Sequence, residues 1–171
     1  MTDSYQTALL RKTDRPFTLH SFEEDGDAIA RLTSQSEQEL RIFSHQLNNQ
    51  VFGASPLIDA VSAFARKNSR TSIRLLVTDV RSATSGRHQF LDLAHRYTST
   101  FECRKVNENY AQQPEEFMLF DRCGYIRFPR TNHFEAITNF HDPVKVRQLG
   151  ALFQEVWDCS ETDPELISFR I

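Results

Sequence analysis

The stretch Pro114-Glu115-Glu116-Phe117-Met118-Leu119-Phe120-Asp121, followed by Arg122-Cys123-Gly124 and Tyr125-Ile126-Arg127-Phe128, decides the fold. Two apolar segments of strand length flank three residues of turn character, which predicts an antiparallel hairpin with strands over 116–121 and 125–128. The residues before it follow a different rule. Glu39–His45 is a strand with Leu40, Ile42 and Phe43 inside, and Leu57, Ile58, Val61, Phe64 and Ala65 recur on one face of a helix that Ser55 caps and Pro56 enters. Ser72–Asp79 is nearly continuous apolar sequence, as a central strand requires. Phe90, Leu93, Ala94 and Tyr97 mark a helix over 81–97, and Phe101–Val106 is a further strand. Strand, helix, strand, helix, strand implies parallel strands joined by right-handed crossovers, to which the hairpin adds antiparallel members.

Further out, residues 1–14 are polar and patternless, an arm that is either mobile or docked late, and a single domain is expected over 15–171. Pro16–Phe22 alternates as a first strand, Ile29 and Leu32 place a helix over 25–36, and His133–Phe140 supplies another strand. Asp142-Pro143 opens the last long helix, whose apolar face is Val146, Leu149, Leu152, Phe153, Val156 and Trp157. The tail from Thr162 holds Pro164 and Ile167-Ser168-Phe169-Arg170-Ile171, an edge strand or an extended segment on the body. The fold class is α/β, a mixed and mostly parallel sheet flanked by helices. Fourteen phenylalanines against one tryptophan and two methionines describe a core of rigid aromatic packing.

Composition excludes several functions. A formal net charge of −3 does not draw the chain to nucleic acid or an anionic bilayer. No apolar run reaches the roughly 20 residues of a membrane span, and the first residues, with Arg11, Lys12, Asp14 and Arg15, lack a signal-peptide core, so a cytoplasmic protein is expected. Cys103, Cys123 and Cys159 are widely spaced without C-x-x-C, which fits reduced thiols and no metal. Nucleotide, zinc and calcium motifs do not occur, and no cofactor is expected. His133, His141 and Asp142 read as solvated surface, and Glu115 and Glu116 alternate to opposite sides of a strand and so make no acid and base pair. Arg66, Lys67 and Arg70 suit the carboxyl end of their helix without any nucleic acid.

The element order from about residue 38 to 160, with a final helix ending Phe153-x-x-x-Trp157, resembles one repeat of the phospholipase D superfamily. That family carries His-x-Lys, four residues, then Asp on a strand. Here Pro114 stands at the histidine, Glu116 at the lysine, and Asp121 alone matches. An imidazole attacks phosphorus and a cation stabilises the developing charge, and neither proline nor carboxylate replaces them. The family's Gly-Ser-x-Asn is also missing, with Phe128-Pro129-Arg130-Thr131 in its place. Two histidines, from two repeats or two subunits, meet in the family's enzymes, whereas a homodimer of this chain, otherwise compatible with the sequence, would bring two Pro114 residues together. Segments such as Phe43-Ser44-His45-Gln46-Leu47 and Gly86–Val106 are further similar to a bacterial domain family of unknown function. That resemblance implies an acetyltransferase-like neighbour as a partner, and no reaction.

Open sheets with parallel strands bind ligands beyond the strands' carboxyl ends. Ser44 and His45 close one strand, and Asp79 and Arg81 close the next. Arg87 and His88 lean over the same edge, where helix amides favour an anion. These six residues make the candidate phosphate or carboxylate pocket. Each has a plainer reading: His45 as a histidine bonded to a loop carbonyl, Asp79 as a helix cap or local ion pair, Arg87 and His88 as solvated first-turn residues at a mild electrostatic cost. The expected function is a non-catalytic phospholipase D-like module that binds a partner protein or small anion in regulation or scaffolding. The alternatives are a hydrolase or phosphotransferase with a displaced centre, His45 or His88 as base or nucleophile and Arg81 or Arg87 as charge stabiliser, and single-stranded nucleic-acid binding.

Overall fold

The computed structural model describes residues 4–129 and 135–167. Among them, seven strands form one sheet: β1 (Pro16–Leu19), β2 (Glu39–Ser44), β3 (Ser72–Val77), β4 (Phe101–Lys105), β5 (Glu116–Phe120), β6 (Gly124–Phe128) and β7 (Ala136–Asn139), in the order β1-β7-β6-β5-β2-β3-β4. β2, β3 and β4 pair in parallel, while β5 joins β2 antiparallel and the rest alternate. Following the pairings, β1, β2, β3, β4 and β6 point one way and β5 and β7 the other. The sheet is mixed as expected, but four of its six pairings are antiparallel, which corrects the expectation of a mostly parallel one.

Helices α1 (Phe22–Gln35), α2 (Asn49–Phe52), α3 (Ser55–Ala65), α4 (Val80–Thr84), α5 (Gln89–Arg96) and α7 (Pro164–Ile167) and the long α6 (Pro143–Cys159) complete the layers. Alternation along the strands sorts side chains to two faces. Leu40 and Ile42 of β2, Ile73, Leu75 and Val77 of β3, and Met118 and Phe120 of β5 pack with α1, α3 and α5 residues such as Ile29, Leu32, Val61, Phe64 and Phe90. Phe43, Leu76, Phe117, Leu119 and Tyr125 turn to the other face, which α6 covers with Val146, Leu149, Phe153, Val156 and Trp157. Burying each such aromatic or aliphatic side chain is worth about 1.5–3 kcal/mol, so both faces contribute to stability.

The ends of the elements are set locally. Ser21 accepts the Glu24 amide and the Glu24 carboxylate accepts the His20 amide, so α1 starts three residues earlier than the apolar spacing alone implies. Asp142 caps α6 by accepting from the Lys145 amide, with Pro143 behind it. For α3 the expected cap is corrected: Ala54 occupies that position with no side-chain bond, and Ser55 and Pro56 are inside the helix. The expected helix over 81–97 is likewise two helices, α4 and α5, broken at Ser85-Gly86-Arg87, where a serine and a glycine are poor helix formers and His88 starts the chain afresh as a cap.

The hairpin turn falls at Asp121-Arg122-Cys123 rather than 122–124, because Asp121 takes the left-handed backbone (φ 53°) while Gly124 pairs with Phe120 inside the sheet. Gly124 is needed for another reason. A Cβ there would stand 2.6 Å from Leu10 Cδ1, so its absence lets the amino-terminal segment dock. Ala8 and Leu10 are buried, and the Arg11 amide donates to the Phe140 carbonyl at 3.2 Å. At the other end, Lys105 of β4 bridges to Glu161 (2.8 Å), and Pro164–Ile167 forms a helical turn with Leu166 fully buried, ahead of the segment expected to be extended. Residues 168–171 of that expectation, and residues 133–134 of the expected seventh strand, lie outside the described residues.

One core residue departs from the pattern. Asp25 of α1 is fully buried, and neither carboxyl oxygen has a hydrogen-bond partner. Burial pushes its pKa from 3.8 up to about 8, with the Glu24 charge adding to it. The folded state therefore binds this proton more tightly than the unfolded chain, so the stability it confers is complete below 3.8 and is lost as pH rises through about 8. Asp25→Asn is expected to melt close to the parent at pH 4 and well above it at pH 9, a gap on the order of a few kcal/mol. Calorimetry across that range checks this; parallel melting curves for the two proteins would refute it.

Candidate functional site

At the carboxyl ends of β2 and β3 the six sequence-selected residues divide into two groups. Ser44, buried, accepts the Leu47 amide at 3.0 Å and so turns the chain directly after β2. His45 donates its amide to the Glu116 carboxylate (3.1 Å), sets its Nε2 against the Gln113 carbonyl (3.0 Å), and receives the Asp79 amide on its own carbonyl (2.6 Å). Asp79 is exposed and caps α4, accepting from the Ser82 amide (3.1 Å) and hydroxyl (2.6 Å). The Ser82 hydroxyl, and then the Ser82 amide, hold its carboxyl below the usual range. Arg81 points from α4 into solvent.

The second group is Arg87 and His88. Arg87 is 88% exposed and faces Asp92 at 3.5 Å. His88 is only 7% exposed, which corrects its expected place as a solvated first-turn residue. Its Nδ1 accepts the Phe90 amide (3.2 Å) and its Nε2 donates to the Leu47 carbonyl (2.7 Å). These roles define a neutral imidazole with the proton on Nε2. Burial lowers its pKa, opposed by the Leu47 carbonyl and the Asp92 charge, so His88 adds no positive charge at the start of α5 and Arg87 alone of the expected basic pair is a cation there. Leu47 itself adopts φ 53°, a strained choice for a bulky residue, and His88 bonds its carbonyl. Between the two loops lies a recess of about 280 Å³, bordered by Gln46, Asn48, Asn49, Ser82, Arg87 and His88. The loop carbonyl expected as a partner of His45 is that of Gln113, whereas the Leu47 carbonyl carries no signal in residue type, which is why sequence reasoning missed it.

The three positions that the resemblance aligns with the phosphodiesterase motif lie before, on and after β5 and are also separated. Pro114 is exposed just before the strand. Glu116 meets the His45 amide, and burial pushes its carboxyl above the ordinary range, opposed by that amide. Asp121 is at the far end of the sheet, 3% exposed, accepting the amides of Glu37 (3.0 Å), Gln38 (2.8 Å) and Glu39 (3.0 Å) and pairing with Arg11. Its carboxylate is thereby occupied by the entry to β2. Among the described residues, no group of three or more His, Cys, Asp or Glu side chains is placed to hold a metal ion. Asp142 is a helix cap, and His133 lies outside the described residues, as do Arg130 and Thr131. The three cysteines are free thiols, and burial drives Cys103 up to about 12.

This mixed sheet, with α6 on one face and the other helices opposite, has a phospholipase D-like fold. The chain belongs to a domain family of unknown function, DUF7931, which it matches over residues 21–169. Solved structures agree on the fold: Nuc, a phospholipase D family member from Salmonella typhimurium (12% identity, 86% of this chain and 97% of that one, TM-score 0.61), and NucT from Helicobacter pylori (8%, 88% and 98%, 0.63). TrmBL2, an archaeal chromatin protein with a novel mode of DNA binding, is similar over 88% of this chain at 12% identity and a TM-score of 0.63, and there the match spans 54% of the longer chain, about half its length. No curated protein matches the sequence.

Because three backbone amides lose their acceptor together, Asp121→Ala is expected to cost roughly 3 kcal/mol, and Asp121→Asn, which keeps one acceptor oxygen and tolerates the left-handed backbone, about half as much. Denaturant titration measures both; an alanine variant as stable as the parent would show that the carboxylate holds nothing.

Proposed function

We propose that this domain is a non-catalytic phospholipase D-like module that binds a partner protein or a small anion in a regulatory or scaffolding role. One observation carries the reading: the motif positions hold no nucleophile and no phosphate clamp, and the nearby polar groups are engaged elsewhere. The ring nitrogen of Pro114 is a backbone amide nitrogen and no nucleophile, and Glu116 brings negative charge to where a cation would be required. His88 uses both ring nitrogens in bonds to the backbone and so is not arranged as a free base or nucleophile, whereas His45 spends Nε2 on the Gln113 carbonyl and is the histidine to test.

Ligand binding on this reading belongs to the recess between Gln46–Asn49 and Ser82–His88, where hydroxyls and amides surround the exposed Arg87. The acetyltransferase-like neighbour implied by the family resemblance is the first protein partner to try. The formal charge of −3 argues against single-stranded nucleic acid, and no helix among the described residues is long and apolar enough to cross a membrane. Incubation with bis(p-nitrophenyl) phosphate is expected to give no turnover above buffer for the parent or for His45→Ala. Turnover in the parent that vanishes in His45→Ala, with an unchanged melting temperature, would establish an enzyme with a displaced centre instead.

A further inference from the structure

The face under α6 carries an arginine cluster that the fold leaves poorly compensated. Arg41 of β2 and Arg74 of β3 are register partners on adjacent parallel strands, so their side chains rise from the same face about 5 Å apart at the backbone. Both meet α6. Arg74 Nη1 donates to Gln154 Oε1 at 3.3 Å, and Arg41 Nη1 stands 2.7 Å from where a Cβ of Gly150 would be, so the missing side chain makes its space. The Arg41 side chain is only 14% exposed, its Nε has no hydrogen-bond partner, and its remaining polar contacts are long: the Asp121 carbonyl at 3.4 Å and the Glu39 carboxylate at 3.7 Å. Arg122, exposed in the β5–β6 turn, and Arg74 add their positive fields to it.

A guanidinium presents five donors in a rigid fork, and a buried one is ordinarily paired by short, charge-assisted bonds. Here the donors exceed the acceptors, with Arg74 alongside on the next strand and Arg122 adding like charge from the turn that follows Asp121. We propose that Arg41, Arg74 and Arg122 form a binding site for a phosphate-type oxyanion at the amino ends of β2 and β3. A tetrahedral dianion between them would take up unused donors and offset the mutual repulsion. The carboxylates of Glu39 and Glu102, the latter the register partner of Arg74, flank the cluster and oppose an extended polyanion, so the ligand is the phosphate group of a small molecule or free phosphate. This site lies at the opposite end of the strands from the recess, and either could fail without the other.

The test is nitrogen-detected NMR of the arginine Nε–Hε groups in the full chain, titrated with inorganic phosphate, with adenosine monophosphate and with a single-stranded oligonucleotide against chloride of equal ionic strength. Phosphate or the nucleotide is expected to shift the Arg41 Nε–Hε signal saturably where chloride does not. Tighter binding of the nucleotide identifies a phosphomonoester, and equal binding identifies free phosphate. Arg122→Gln is expected to weaken the apparent affinity about tenfold, and Glu39→Gln to strengthen it. Identical responses to phosphate and chloride would overturn the site, as would binding unaltered in both Arg122→Gln and Arg74→Gln. Oligonucleotide binding tighter than either small anion would replace the proposed ligand class with a nucleic-acid backbone.

Discussion

A single carboxylate fastens the two halves of the sheet. Asp121 ends β5 in a left-handed turn and accepts three consecutive amides that lead into β2, the strand at which parallel and antiparallel pairing meet. Arg11 closes on it from the amino-terminal segment, so one nearly buried charge ties together β2, β5 and residues that precede the sheet. A charge taken out of water must find donors of this kind, and here the main chain supplies most of them. This gives a physical account of the aspartate at 121: its bonds maintain the architecture.

Much of this architecture is legible in residue order. The near-continuous apolar run of β3, the alternation in β2, the hairpin at 116–128 and the Asp142-Pro143 start of α6 each agree with one periodicity and one kind of boundary. The helix break between α4 and α5 is hidden because Val80 and Ala83 continue the apolar stripe of Phe90, Leu93 and Ala94, and only Ser85-Gly86 speaks against continuity. The polar amino-terminal segment conceals two anchors, Ala8 and Leu10, whose docking depends on a glycine 114 positions further along the chain. Contacts of that range leave no local pattern.

The strand-end residues show the same limit more sharply. His88 and Arg87 are adjacent in sequence and equally polar, yet one is buried as a neutral cap and the other stands in solvent. What separates them is the Leu47 carbonyl, presented by a strained backbone. At the carboxyl ends of the parallel strands, polar side chains are spent on caps and loop carbonyls. At the amino ends, beneath α6, donors outnumber acceptors around Arg41. Electrostatic imbalance thus resides at the end of the sheet that Asp121 occupies, away from Pro114 and Glu116.

The rims of the sheet bear on how copies of the molecule meet. β1 begins with Pro16, which has no amide hydrogen to give, and the carboxyl end of β4 is already joined to Glu161 through Lys105. Growth of the sheet by adding a neighbour's strand would find a short row at one border and a partly closed one at the other. Self-association of this domain, where it occurs, is therefore steered toward helical and loop surfaces instead of continuous hydrogen-bonded ribbons.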